Sequence, residues 1–279
     1  MTKTPVFLLL AAACSSGRDP CSDGTVWDGS SCVDYVEGTP VAADVWRPAP
    51  GATWQWQITG TIDTSLEVEM YDVDLFEARD ADLDALSDRV VICYFSAGSY
   101  EEYRDDVGFV AEEAIGRVLD GWPDERWLDI THPDTLELAR RRLDVAVERG
   151  CDGVEPDNVT AFADNSGFPI NATEQLQFNR FLADEAHARG LSVGLKNDVD
   201  QLDALQPWFD WALNESCVNY DECDTYASWI EDLAVFHTEY ANREDALEGL
   251  ADSVCPERPA SFSTLLKTWD LGPEFVHCD

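Results

Sequence analysis

Positive charge is scarce in this chain: its 279 residues include 18 Lys and Arg against 56 Asp and Glu, a formal charge of −38. Such a chain repels nucleic acid and anionic lipid surfaces and attracts a polycation. Histidine is scarce as well, with four residues, and no CxxC pair occurs, so a zinc site is not expected. No GxGxxG turn follows the first strand-like run, which argues against an open dinucleotide-binding sheet. "YFSAGSY" (94–100) is not the GxSxG turn of a serine nucleophile. "YDVDLFEARDADLD" (71–84) has the acids of a calcium loop but lacks Gly at the sixth position and Glu at the twelfth. Neither a metal nor a cofactor is therefore expected. No fixed-period repeat is present, and after the first residues no apolar run is long enough to cross a bilayer.

What is present is apolar and aromatic: 45% hydrophobic residues, with ten Trp, eight Tyr and twelve Phe, enough for one large folded domain. The opening "MTKTPVFLLLAAACSSG" carries Lys3, an apolar run from Val6 to Ala13, and small residues before Cys14, as an export signal does. "LAAAC" resembles the lipobox of bacterial lipoproteins, although Leu10 lies four positions before Cys14 and Ala11 takes the third. Residues 1–14 are thus read as a signal with Cys14 as the lipidated residue, which would anchor the protein to the cell envelope. A plain secretory signal is the alternative. In that oxidising setting the other eight cysteines are expected to pair. Local spacing suggests Cys21 with Cys32, Cys217 with Cys223 and Cys255 with Cys278, leaving Cys93 with Cys151. Residues 15–50, rich in Ser, Gly, Asp and Pro, read as a linker holding one such loop, and residues 51–279 as the domain proper. A monomer is expected.

From Thr53 onward, short apolar runs recur: "TWQWQIT", "LEVEMYDVD", "RVVICYFSAG", "RWLDI", "DGVEPDN", "LSVGLKND", "WFDWALNE" and "LAVFHTEY". Helical patterns separate several of them. "HPDTLELARRRLDVAVERG" opens with Pro133 and stops at Gly150; "NATEQLQFNRFLADEAHARG" has Thr173 as its expected N-cap and Gly190 as its stop. Eight strands alternating with helical segments predict an α/β fold, a (β/α)8 TIM-type barrel. Only "GTIDTSLE" separates the first two runs, so a degenerate first βα unit is expected.

In such a barrel the reacting groups stand where strands end. Those positions read Gln57, Asp72 with Asp74, Ser96 with Gly98, Asp129, Glu155 with Asp157, Lys196 with Asn197, Glu215, and Glu239. Side chains alternate along a strand, so Glu155 and Asp157 share a face, with Asp157 at the mouth and Glu155 a layer deeper. Two carboxylates are what glycoside hydrolysis needs, one to protonate the leaving oxygen and one to attack or to activate water. Asp157, ending the fifth run, and Glu215, ending the seventh, are the candidate pair. Crowded acids should raise at least one pKa there. Asp72, Asp74, Asp129, Glu155, Lys196, Asn197 and Glu239 are expected to line or support the pocket, with Tyr71 and Tyr220 as sugar-facing rings. The competing reading is that individual acids cap helices or pair with Lys196.

With these residues in view, the chain resembles glycoside hydrolase family 114, the endo-α-1,4-polygalactosaminidases. The likeness runs from about Thr53 to Tyr240 on seven stretches in family order: "WQWQITGTID", "YDVDLFEA", "VICYFSAGSYEEYRDD", "LDGWPDERWLDI", "GCDGVEPDNV", "GLSVGLKND" and "NESCVNYDEC". The N-terminal 50 residues and the tail after Tyr240 lie outside it. The resemblance implies a TIM-type barrel that cleaves α-1,4-linked galactosamine polymers, with the family's acidic pair at Asp157 in "EPDN" and Glu215 in "NESC". The family often has Asp where Glu155 stands, and its cysteines match Cys93, Cys151, Cys217 and Cys223. It also gives the charge a use, because de-N-acetylated galactosamine is cationic and an acidic mouth would draw it in. Asp157 is then the expected nucleophile and Glu215 the acid/base, with the reverse assignment open. The rival from another class is a non-catalytic surface binder of cationic amino-sugar polymers.

Overall fold

The computed structural model describes residues 25–27, 32–34, 40, 43–230 and 232–278. The expected signal segment, Cys14, Cys21, the Cys32 side chain and much of the 15–50 linker lie outside the described residues. Two short strands, β1 (Thr25–Trp27) and β2 (Cys32–Asp34), pair antiparallel. The main sheet begins with β3 (Trp54–Gln57), β4 (Met70–Asp74) and β5 (Val90–Ser96). A separate antiparallel sheet follows, made of β6 (Ser99–Glu101), β7 (Ile115–Leu119) and β8 (Trp122–Leu128), with β8 in its middle. The main sheet then resumes with β9 (Gly153–Asp157), β10 (Ser192–Lys196), β11 (Trp211–Glu215), β12 (Ala234–Ala241) and β13 (Ser263–Thr268). Every neighbour pair from β3 to β13 is parallel and in chain order, and β14 (Val276–His277) adds antiparallel to β13.

The expected eight parallel strands are therefore present, but one of them is not the expected segment. The first residues of "RWLDI", expected in a barrel strand, belong instead to β8, which pairs with β6 and β7. Leu119 pairs with Trp122 around Asp120–Gly121, and Gly121 takes φ 85°, the left-handed backbone a two-residue hairpin turn requires. The vacant place in the barrel is taken by β13, so Asp157 ends the fourth parallel strand and Glu215 the sixth.

Helices α1 (Asp80–Ala85), α2 (Pro133–Glu148), α3 (Ala172–Ala188), α4 (Leu202–Leu205), α5 (Cys217–Tyr220) and α6 (Leu247–Val254) pack outside the sheet. Between β3 and β4, residues 58–69 form turns and bends without a helix. In α2, Pro133 occupies the first turn, where its missing N–H is not needed, and the His132 ring accepts from Asp134 N. The N-cap of α3 is Asn171 and not Thr173. Its side chain accepts from Thr173 N and Glu174 N while Glu174 reaches back to Asn171 N, a complete capping box.

The sheet curls until its edges meet. Trp54 Nε1 on β3 donates to Ser263 O on β13 at 3.0 Å, Lys267 Nζ to Gln55 Oε1 at 3.2 Å, and Ile58 N to Leu271 O at 3.1 Å. Inside the curl, Trp54, Trp56, Met70, Ile92, Trp211, Leu213, Phe236 and Leu265 form one buried core. The Trp211 ring needs the bare backbone of Gly194, where a Cβ would fall 2.3 Å from it. Outside, the opposite faces of the strands and the helices share a second, larger core. Disulfides Cys217–Cys223 and Cys255–Cys278 form as the spacing predicted, and Cys93–Cys151 forms as the remaining pair. The last ties β5 to the start of β9, the strand that carries Glu155 and Asp157.

Candidate active site

Asp157, Lys196 and Glu215 are the last residues of β9, β10 and β11, three consecutive parallel strands. Immediately after each, the chain enters the left-handed region: Asn158 at φ 60°, Asn197 at φ 50° and Ser216 at φ 67°. Polar residues with short side chains tolerate that backbone, and each turns the loop away so that the strand's last side chain faces the mouth. Asp157 is further fixed through its carbonyl, which accepts from Ala97 N at 2.8 Å and Gly98 N at 3.2 Å. Only glycine permits this approach, because a Cβ on residue 98 would lie 1.9 Å from Asn158 O.

The site has two layers. In the upper layer the side chains of Asp157 and Glu215 are 22% and 27% exposed, while Lys196 and Glu155 beneath them are 3% and 0% exposed. Lys196 Nζ joins the layers: it lies 2.8 Å from Glu155 Oε1, 3.3 Å from Asp157 Oδ1 and 3.4 Å from Glu215 Oε2, and 4.7 Å from the centre of the Trp56 ring. Sharing one ammonium caps the separation of those two upper oxygens at the sum of their distances to it. Each acid has its own donors as well. Asp157 accepts from Tyr94 OH at 3.2 Å and Asn158 N at 2.8 Å. Glu215 accepts from Asn197 Nδ2 at 3.0 Å and from Tyr240 OH, and its backbone N–H donates to Asn197 Oδ1 at 2.8 Å.

Burial and crowding displace titrations here, as expected, and they do so in the lower layer. Burial, partly opposed by Lys196 and reinforced by Asp157, pushes Glu155 above the ordinary carboxylate range. Asp72, wholly buried and facing Glu155, is driven well above the ordinary carboxylate range, first by desolvation and then by the charge of Glu155. Burial works to discharge Lys196, but Asp157, Glu155 and Glu215 outweigh it and hold the ammonium above its usual range. Tyr94 and Tyr240 are raised by burial and by the adjacent acids Asp157 and Glu215 respectively, so both remain protonated donors.

Of the expected pocket residues, Asp72, Glu155, Asp157, Lys196, Asn197 and Glu215 come together. The others do not join them. Asp74 is engaged by Arg104 Nη2 at 2.6 Å and caps Phe76 N and Glu77 N, each at 2.8 Å. Asp129 accepts from Thr131 N and Thr131 Oγ1 in the turn that leads into α2. Tyr71 faces the outer core, its hydroxyl spent on Asp63 O and Leu66 N. Glu239 also faces outward, receiving Val218 N and Asn219 N at the start of α5 and pairing with His237. Tyr220, at the end of α5, is 68% exposed. Three aromatic residues that strand-end reading passed over belong to the site: Tyr94, Tyr240 and Trp269. The Trp269 ring stacks on Tyr240 at 4.1 Å with a 13° tilt and remains 55% exposed just past the end of β13. Among the described residues no group of side chains is arranged to hold a metal, and no helix is long and apolar enough to cross a membrane.

The sequence profile of glycoside-hydrolase family GH114 matches residues 36–279. The match extends past Tyr240, so β13 and Trp269, placed outside the likeness by motif reading, lie within it. Among solved structures, Ega3 of Aspergillus fumigatus in complex with galactosamine is 37% identical, with a TM-score of 0.82, and the alignment covers 86% of this chain and 100% of that one. The glycoside hydrolase domain of PelA from Pseudomonas aeruginosa is 14% identical, with a TM-score of 0.61 over 80% of this chain and 96% of that one, a likeness of fold. No curated protein matches the chain. The chain belongs to glycoside-hydrolase family GH114.

Proposed function

We propose that this glycoside hydrolase cuts α-1,4-linked galactosamine polymers internally, with Asp157 as nucleophile and Glu215 as acid/base. The observation that carries the chemistry is the convergence of Asp157 and Glu215 on one buried ammonium at the barrel mouth. Retention by double displacement, the route of closely spaced carboxylates, is the outcome proposed for this pair. The 37% identical Ega3, solved with galactosamine, supports the sugar. The formal charge of −38 supports a cationic form of it. The three disulfides support export to an oxidising compartment, with lipid attachment at Cys14 as the proposed anchor.

The test is an oligosaccharide profile from de-N-acetylated α-1,4-galactosaminan, with its N-acetylated form and a de-N-acetylated glucosamine polymer as controls. A rapid fall in chain length with mixed oligomers is expected from the first polymer. Binding without new reducing ends would make the protein a binder instead. At low substrate the rate should fall several-fold as salt rises from about 0.01 to 0.15 M, because the Debye length shrinks from roughly 30 to 8 Å. A rate indifferent to salt would remove charge steering from the account.

Trp269 is the proposed platform for the sugar next to Glu215, since it stacks on the ring whose hydroxyl holds that acid. A cationic sugar over an exposed indole gains about 1 kcal/mol. Trp269→Ala should therefore raise KM roughly fivefold with little change in melting temperature, and Trp269→Phe should recover part of the loss. An unchanged KM would place the sugar elsewhere.

A further inference from the structure

Four carboxylates, Asp72, Glu155, Asp157 and Glu215, crowd this site, and among the described residues Lys196 is the one ammonium that contacts any of them, touching the last three. Three of them have donors. Asp157 and Glu215 each take a phenol and a share of Lys196, and Glu155 Oε1 takes Lys196 at 2.8 Å. Asp72 has none: both of its oxygens are buried and accept from no donor among the described residues, and Glu155 Oε2 is left equally without one. Asp72 is nevertheless within hydrogen-bonding reach of Glu155. Two carboxylate oxygens in contact are both acceptors, so the contact is bonding only if a proton lies between them. An ionised, unpartnered carboxylate at full burial is costly enough that such a group takes up a proton instead.

We propose that Asp72 stands as a neutral carboxylic acid donating to Glu155 Oε2, and that this one-proton pair is a positioning element holding Lys196 between Asp157 and Glu215. The proton belongs on Asp72 because Glu155 already accepts from the Lys196 ammonium, which favours its charged form. The groups facing the pair are all accounted for. From β9 comes Asp157, from β10 Lys196, and from β11 Glu215; Tyr94 on β5 donates to Asp157 and Tyr240 on β12 to Glu215, so neither phenol supplies the missing proton. With one negative charge beneath it, Lys196 is balanced between the two layers. A second negative charge there would draw the ammonium down and away from the upper acids.

The proton assignment is testable without any activity, whereas the positioning role rests on the proposed glycosidase reading. In protein labelled with carbon-13 at the Asp carboxyl, the Asp72 signal, assigned by its absence in Asp72→Asn, is expected at the neutral-acid position at pH 7. It should move only at a pH well above the ordinary carboxylate range. A carboxylate signal at pH 7 would overturn the proposal, whatever the enzyme does. For the positioning role, Asp72→Val removes the donor and should lower kcat at least tenfold, while Asp72→Asn, whose amide can still donate to Glu155, should recover most of that loss. Equal loss in both variants, or none in Asp72→Val, would overturn it. If Asp72→Val does not fold, the carboxyl signal of the wild type and the Asn variant's kcat still decide.

Discussion

Asp157→Asn should lower kcat on the galactosamine polymer by about 10⁴-fold, because an amide nitrogen or oxygen cannot form and release the glycosyl ester that a carboxylate can. Glu215→Gln should lower it by roughly 10²–10⁴-fold, the range for losing a positioned proton donor. Both are near-isosteric. The amide oxygen of Asn at 157 can keep Asn158 N while its nitrogen donates to a turned Tyr94 hydroxyl, and Gln at 215 can keep its contacts with Asn197 and Tyr240 in the same way, so circular dichroism and melting temperature should stay close to wild type. The two roles separate on a substrate whose leaving group departs without protonation. There Glu215→Gln should recover its first, glycosylation step and show a burst, whereas Asp157→Asn should not recover at all. The opposite pattern would exchange the assignments, and a wild-type rate in either variant would take that residue out of the chemistry. Proton NMR of the wild-type reaction should show the α-anomer released first, as retention requires.

How much of this was legible without coordinates depended on whether the deciding force was local. The alternation of "GVEPD" put Glu155 and Asp157 on one face, and the structure keeps them there, one beneath the other. Pro133 and Gly150 marked α2 because the physics of helix ends is local. The same alternation also contained a warning. If Asp72 faces the pocket, Tyr71 cannot, and if Tyr240 faces Glu215, Glu239 cannot. The expected site holds Tyr71 beside its opposite-parity neighbour Asp72, and Glu239 in the place that belongs to Tyr240; both in fact face outward. Asp74 and Asp129 were harder. Whether a strand-end acid lines a mouth or caps a turn is decided by partners brought in from elsewhere, such as Arg104 for Asp74. The Asp120–Gly121 turn signalled the hairpin that removes "RWLDI" from the barrel, but β13, "STLLKT", mixes polar and apolar residues and is buried throughout because it closes the barrel against β3 and is covered by α6.

Lys196→Met is the substitution expected to damage stability most. Among the described residues the ammonium it removes is the only cation touching Glu155, Asp157 and Glu215, and it is almost wholly buried. Breaking a buried charge pair by deleting one partner costs about 3–5 kcal/mol, because the remaining charge keeps its desolvation penalty and loses its compensation. The pH dependence identifies this cause. Glu155 and Asp72 have folded pKa values raised above their unfolded ones, so the folded state binds more protons and stability is lost as pH rises above about 4.5. Lys196 limits that loss in the wild type by favouring the charged forms. Without it the raised values rise further, so the gap between Lys196→Met and wild type should be smaller near pH 5 than near pH 9. Urea denaturation at the two pH values measures the gap directly. Activity should be lost as well, since Asp157 and Glu215 would repel each other with nothing between them. A gap equal at both pH values would mean that Met fails at this place through its shape, and that the ammonium is not what holds Glu155, Asp157 and Glu215 together.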